Sequence, residues 1–146
     1  DPLRGELFTG EAGAGAFLNG NPIRVSALAD LKRALLITGF PYDLKLDLAL
    51  ALTLFNRFMG QARAIRRDGS AALDLCYVAS GRADGFWEEK LKPWDTAAGS
   101  LIVMEAGGRV SDFGGAPFVT SGATILASNG ALHAAMLEVL DQGRVS

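Results

Sequence analysis

From Ala34 onward the chain alternates short, apolar, β-prone runs with longer stretches rich in Ala and Leu, and few folds accept that alternation. Strand-like runs fall at 34–38, 62–67, 83–88, 109–112 and 124–128. Helix-like stretches cover about fifteen residues from Leu44, then Ser70 to Ser80 with Gly81 behind it, Asp95 to Ala106 ahead of Gly107-Gly108, and Leu132 to Leu140. Glycine just past a periodic segment is a helix stop, because it takes the left-handed conformation that closes the last turn. The leucines at 44, 46, 48, 50, 52 and 54 have the two-residue period of a strand, but the length and helix propensity of the stretch decide for a helix. The expected class is α/β, a sheet flanked by helices.

The first 25 residues read differently. Short apolar runs are broken by Gly10, Gly13, Gly15 and the Asn19-Gly20 turn signal, which predicts strands at about 6–8, 13–18 and 22–25. Composition shifts near residues 26–33, so the expected boundary separates a β segment at 1–30 from an α/β domain at 31–146. The chain opens Asp1-Pro2 rather than with Met, which leaves open a cleavage, an artificial boundary or a preceding segment.

Several functions are disfavoured. Hydrophobic residues make up 49% and charged residues 21%, enough burial to outweigh ordering entropy, so the chain should fold as a globule. The net charge of −2 and the absence of a basic run leave no footprint for a phosphate backbone, so nucleic acid is not expected as a direct partner. No apolar run approaches the ~18 residues of a membrane span, and a cytoplasmic location is expected. Cys76, the only cysteine, can form no intrachain disulfide and reads as a small buried hydrophobe, which fits a reducing compartment. The glycines at 13 and 15 do not open a dinucleotide loop, because Leu18 stands where G-x-G-x-x-G needs its last Gly. His133, the only histidine, has no Cys or second His nearby, so a zinc site or a Ser-His-Asp triad is not expected and a surface or cap place is.

The carboxylates say more. Glu88 ends a strand and Asp95 starts a helix, which would put both in the crevice beyond the carboxyl ends of the strands, where open α/β sheets bind ligands. Gly69-Ser70-Ala71-Ala72 opens another helix, whose free N–H groups can face a phosphate or polyol. Taken singly, each of these could be no more than helix capping or a solvated acid.

Together they resemble a known pattern. The run from Trp94-Asp95-Thr96-Ala97-Ala98-Gly99-Ser100 through Glu105-Ala106-Gly107-Gly108 is similar to the C-terminal signature of the inositol monophosphatase family of Mg²⁺-dependent phosphatases. Arg66-Arg67-Asp68-Gly69-Ser70-Ala71-Ala72-Leu73-Asp74-Leu75, Gly81-Arg82-Ala83-Asp84-Gly85-Phe86-Trp87-Glu88, Thr38-Gly39-Phe40-Pro41-Tyr42-Asp43 and the segments at 8–13 and 15–20 resemble the family's flanking segments in order and spacing. The resemblance implies the C-terminal half of a layered αβαβα fold, with a mixed sheet flanked by helices and preceded by hairpin strands of the N-terminal domain's sheet. It implies that Asp95 is catalytic and ligates Mg²⁺, that Glu88 accepts hydrogen bonds from substrate hydroxyls, and that Gly69, Ser70 and Ala71 line the substrate pocket. The family's upstream Glu-Glu pair and Asp-Pro-x-Asp-Gly-Thr loop, which hold most metal ligands and the attacking water, have no counterpart in these residues. The implied protein is therefore the C-terminal half of a phosphomonoesterase, inactive by itself, acting on inositol monophosphate or a related polyol phosphate. Bacterial inositol-1-monophosphatases resemble it most; fructose-1,6-bisphosphate, histidinol phosphate, adenosine bisphosphate and NADP(H) remain alternative substrates. The resemblance also implies lithium sensitivity and a homodimer. A non-catalytic, protein-binding module of the same fold is the competing expectation.

Overall fold

The computed structural model describes residues 1–40 and 44–142, so Pro41, Tyr42 and Asp43 of the family-like segment and the last four residues of the chain lie outside the description. Two sheets form. Strands β1 (Phe8–Glu11), β2 (Gly15–Leu18) and β3 (Asn21–Pro22) make an antiparallel sheet in that order. Strands β4 (Leu35–Thr38), β5 (Ala64–Arg66), β6 (Gly85–Glu89), β7 (Arg109–Ser111) and β8 (Thr124–Ser128) make a mixed sheet in the order β5-β4-β6-β8-β7. β4 runs parallel to both β5 and β6, whereas β8 is antiparallel to β6 and β7.

The helices are α1 (Leu44–Met59), α2 (Ala71–Ala79), α3 (Pro93–Glu105) and α4 (His133–Asp141). Period-two side chains send alternate residues of each central strand to opposite faces. Leu36, Trp87 and Leu126 face a core shared with Leu54 and Phe58 of α1 and Met136, Val139 and Leu140 of α4. Ile37, Phe86, Ile125 and Ala127 face a second core with Leu75 and Val78 of α2 and Ile102 and Val103 of α3. The small sheet then covers the far side of α3, where Gly10 admits Ile102. The layers run helix, sheet, helix, sheet, an α/β architecture with a mixed sheet and a preceding hairpin.

The leucine run is a helix, and the reason is geometric. Residues two apart lie about 200° apart around a helix, so a period-two run spreads leucine over the whole circumference. Ala51, Leu54 and Phe58 take the buried stripe at spacings of three and four, Phe58 stacking on Trp87 with ring centroids 4.0 Å apart, while Leu48, Leu50 and Leu52 remain 41–51% exposed. The early strands shift from expectation: the first begins at Phe8 rather than 6, and the third is reduced to Asn21–Pro22, with Ile23 N still donating to Ala16 O (2.9 Å) beyond it. The residues from 26 to 33 are not a slack connector. The buried Asp84 carboxyl accepts from Ser26 Oγ (2.5 Å) and Leu35 N (2.8 Å), and Asn129 Nδ2 donates to Ser26 Oγ (2.9 Å) and to Leu28 O (2.7 Å).

His133 corrects the sequence reading: it is fully buried rather than a surface residue. Its Nε2 lies 2.9 Å from Ser111 Oγ and its Nδ1 2.9 Å from Ser128 Oγ. Ser111 Oγ already donates its one hydrogen to Asp112 O (2.6 Å), so it accepts from Nε2–H; Ser128 Oγ accepts from Gly130 N (3.1 Å) and donates to Nδ1. Every hydrogen in this relay is used when the ring is neutral. Burial first, and the Arg109 charge second, push its pKa down from 6.5 to about 4. The unfolded chain binds the proton more readily between those values, so this residue's contribution to stability is complete above about pH 6.5 and declines as pH falls toward 4. Nitrogen-15 NMR of His133 at pH 6 should show a neutral ring protonated on Nε2; an imidazolium there would refute the relay.

α2 and α3 cross closely at Gly99, where a Cβ would lie 2.7 Å from Leu75 Cβ and Cδ1. Urea denaturation of Gly99→Leu should show a loss of about 3 kcal/mol, the upper part of the usual range for overpacking a core. An unchanged midpoint would mean that the two helices can separate freely.

Candidate functional site

Parallel pairing brings the carboxyl ends of β4, β5 and β6 to one edge of the sheet. Ile37 pairs with Arg66 on one side, and Thr38 with Trp87 on the other. The next residues, Gly39, Arg67 and Glu88, therefore emerge together. With the starts of α2 and α3 they border a cavity of about 330 Å³ lined by Gly39, Phe40, Arg67, Gly69, Ser70, Ala71, Ala72, Asp74, Glu88, Leu91 and Asp95. Gly69, Ser70, Ala71, Glu88 and Asp95, singled out from the sequence, all lie in this wall.

Each is placed by local structure. Gly69 has φ +93°, a left-handed turn that releases the chain from β5 into α2. Ser70 occupies the cap position, yet its side chain makes no capping hydrogen bond, so the expected simple cap is absent and the N–H groups of the first turn are left for another acceptor. Asp95 is not the N-cap residue of α3, because the helix starts two residues earlier, at Pro93, whose missing N–H suits a first turn; it caps the helix from the third helical position, as the acidic member of a capping box. Asp95 stands in that first turn, and its Oδ2 accepts from Lys92 N at 2.9 Å, which fixes the side chain. One oxygen remains available beside the cavity.

Glu88 is 8% exposed, and its carboxyl occupies the space that a Cβ on Gly39 would need. Burial raises its pKa from 4.5 to about 8; the Asp74 charge adds to the effect, Arg67 opposes it, and Asp95 adds a smaller push. Asp74, 1% exposed, is raised from 3.8 to about 7 by burial and then by Asp68, with Arg67 opposing. A buried carboxyl held neutral can donate one hydrogen bond and accept others. Asp74, Arg67 and Gly39 received no role from the sequence. A signal for Asp74 existed: a lone acid in the otherwise apolar stretch Ala71–Tyr77, four residues after Ser70 and so on the same helix face.

Asp95 has the hard oxygen chemistry that Mg²⁺ prefers, but one carboxylate is not an octahedral site. Among the described residues no group of three His, Cys, Asp or Glu side chains converges to hold a metal. These residues alone do not fit the cation.

A sequence model of the inositol monophosphatase family matches residues 1–144. The chain belongs to the inositol monophosphatase family. Within it, Nus factor SuhB of Escherichia coli K12 is 49% identical over 138 residues, covering 94% of this chain and 51% of that protein. The chloroplastic phosphatase IMPL1 of Arabidopsis thaliana is 47% identical over 131 residues, covering 90% and 35%. The solved inositol monophosphatase of Anabaena (Nostoc) sp. PCC 7120 superposes with a TM-score of 0.94 at 42% identity, covering 97% of this chain and 56% of that one. The chain thus spans 35–56% of the length of these relatives. Among the described residues no helix is long and apolar enough to cross a membrane.

Gly39→Ala should force the Glu88 carboxyl outward. Carbon-13 NMR titration of that carboxyl should then show its pKa falling from about 8 toward 4.5. A titration unchanged from the native chain would show that Gly39 does not set the burial.

Proposed function

We propose that this chain is the substrate-pocket half of a phosphomonoesterase acting on inositol monophosphate or a related polyol or sugar phosphate. The observation that carries this reading is the meeting of Gly69, Ser70, Ala71, Glu88 and Asp95 on one cavity at the carboxyl edge of the sheet. In this reading Gly69, Ser70 and Ala71 border the substrate with the uncapped start of α2, whose N–H groups suit a negative or polar group. Glu88 bonds a substrate hydroxyl from its buried position. Asp95 is the catalytic carboxylate, pinned by Lys92 N, and contributes one ligand to Mg²⁺. The remaining ligands come from residues upstream of Asp1, in a metal-binding domain whose trailing β segment is residues 1–30, with 31–146 as the C-terminal domain. A homodimer, lithium sensitivity and a cytoplasmic location belong to the same reading, as does the absence of nucleic acid from the list of direct partners.

A relative called a Nus factor supports a second reading, a protein-binding module without turnover. Phosphate release from inositol monophosphate with Mg²⁺ separates the two. The 146-residue chain alone should release none, and the chain joined to its upstream residues should turn over. In that longer protein Asp95→Asn should lower kcat by about a hundredfold or more, since an amide supplies no charge to hold a metal. Robust release by the short chain, or by the Asn variant, would contradict the assignment.

A further inference from the structure

Among the described residues Arg67 is the one cation in the wall of the candidate cavity, where Asp74, Glu88 and Asp95 supply the acids. It is exposed, just past the end of β5, where the chain turns at Gly69. A Cβ on Gly69 would lie 3.1 Å from Arg67 Nη1, so the guanidinium rests against bare backbone beside the cavity. An arginine among acids is normally paired with one. This one is not: the ion pairs among the described residues belong to Arg4 with Asp1 and Arg82 with Glu6, and Asp95 is fixed on Lys92 N instead. Arg67 does act on Asp74 and Glu88, but burial lifts those carboxyls to about 7 and about 8, so neither offers it a full negative charge at neutral pH. Asp68, the other acid nearby, lies outside the cavity wall. The guanidinium hydrogens are therefore unclaimed by the protein. A guanidinium has donors only, in a planar fork: a hydroxyl takes one of them, whereas a phosphate takes two in parallel and adds charge attraction.

We propose that Arg67 is a further specificity-determining residue of this pocket, its guanidinium donating to phosphate oxygens of the ligand. This rests on the reading of the cavity as a phosphate ester pocket. An arginine kept only for solubility would not distinguish a phosphorylated polyol from the bare polyol.

Nitrogen-15 NMR of the arginine Nε–H groups tests it in the 146-residue chain, with a chelator present so that no metal takes part. The ligands are inorganic phosphate, myo-inositol monophosphate and phosphate-free myo-inositol. The Arg67 signal should move with both phosphates and stay still with inositol. Arg67→Gln should weaken both phosphates about tenfold, and Arg67→Lys by less, since a point charge replaces the fork. Arg63→Gln, exposed but outside the cavity wall, should change neither. Equal losses in the Arg63 and Arg67 variants, an Arg67 signal that moves as far with inositol, or no movement with either phosphate would overturn the proposal. In the chain joined to its upstream residues, Arg67→Gln should raise KM for inositol monophosphate about tenfold and keep kcat within about threefold. Phosphate binding that depends on Arg67 in a longer protein without turnover would sustain the contact and sink the phosphatase reading. Turnover with KM unchanged in Arg67→Gln would sink the contact and leave the phosphatase reading standing.

Discussion

Glu88 can be buried because the residue beside it, one step beyond the last parallel pair of β4 and β6, has no side chain. That register decides where the cavity lies and what its chemistry is. Shifted by one residue, β6 would turn Glu88 to the α1 side and send a tryptophan toward α2, since successive side chains point to opposite faces. Instead Trp87 stacks on Phe58, and the carboxyl beside it is desolvated until it holds a proton near neutral pH. Packing on one face of the strand and chemistry on the other are two readings of one alternation.

α3 is held at both ends by carboxylates. Asp95 accepts Lys92 N in the first turn, and Glu105, in the last, accepts Gly13 N and Gly15 N of the hairpin at 2.9 Å each. The second grip binds the three-stranded sheet to the helix that carries Asp95, so the hairpin is a buttress for the site although none of its residues lines the cavity.

Much of this was legible in the sequence because it depends on local pattern. β8 and the leucine-rich helix followed from run length and propensity, and the convergence of Gly69, Ser70, Ala71, Glu88 and Asp95 on one cavity followed from their places at strand and helix boundaries. What escaped depends on contacts across the chain. His133 read as a surface or cap residue because its two serines, Ser111 and Ser128, belong to separate strands. The hydrogen bonds of Ser26 escaped because its partners, Asp84 and Asn129, lie 58 and 103 residues away. Asp74 received no role because its burial, not its residue type, makes it unusual. Even Asp95 was placed at the helix start, when Pro93 starts the helix earlier.

The close crossing at Gly99 and Leu75 has a corollary. Two helices interlocked at that point behave as a single rigid jaw, so the pocket cannot be enlarged by sliding one of them aside. What is left to shape the pocket is the set of side chains at the strand tips and beside them, Arg67, Glu88, Phe40 and Leu91.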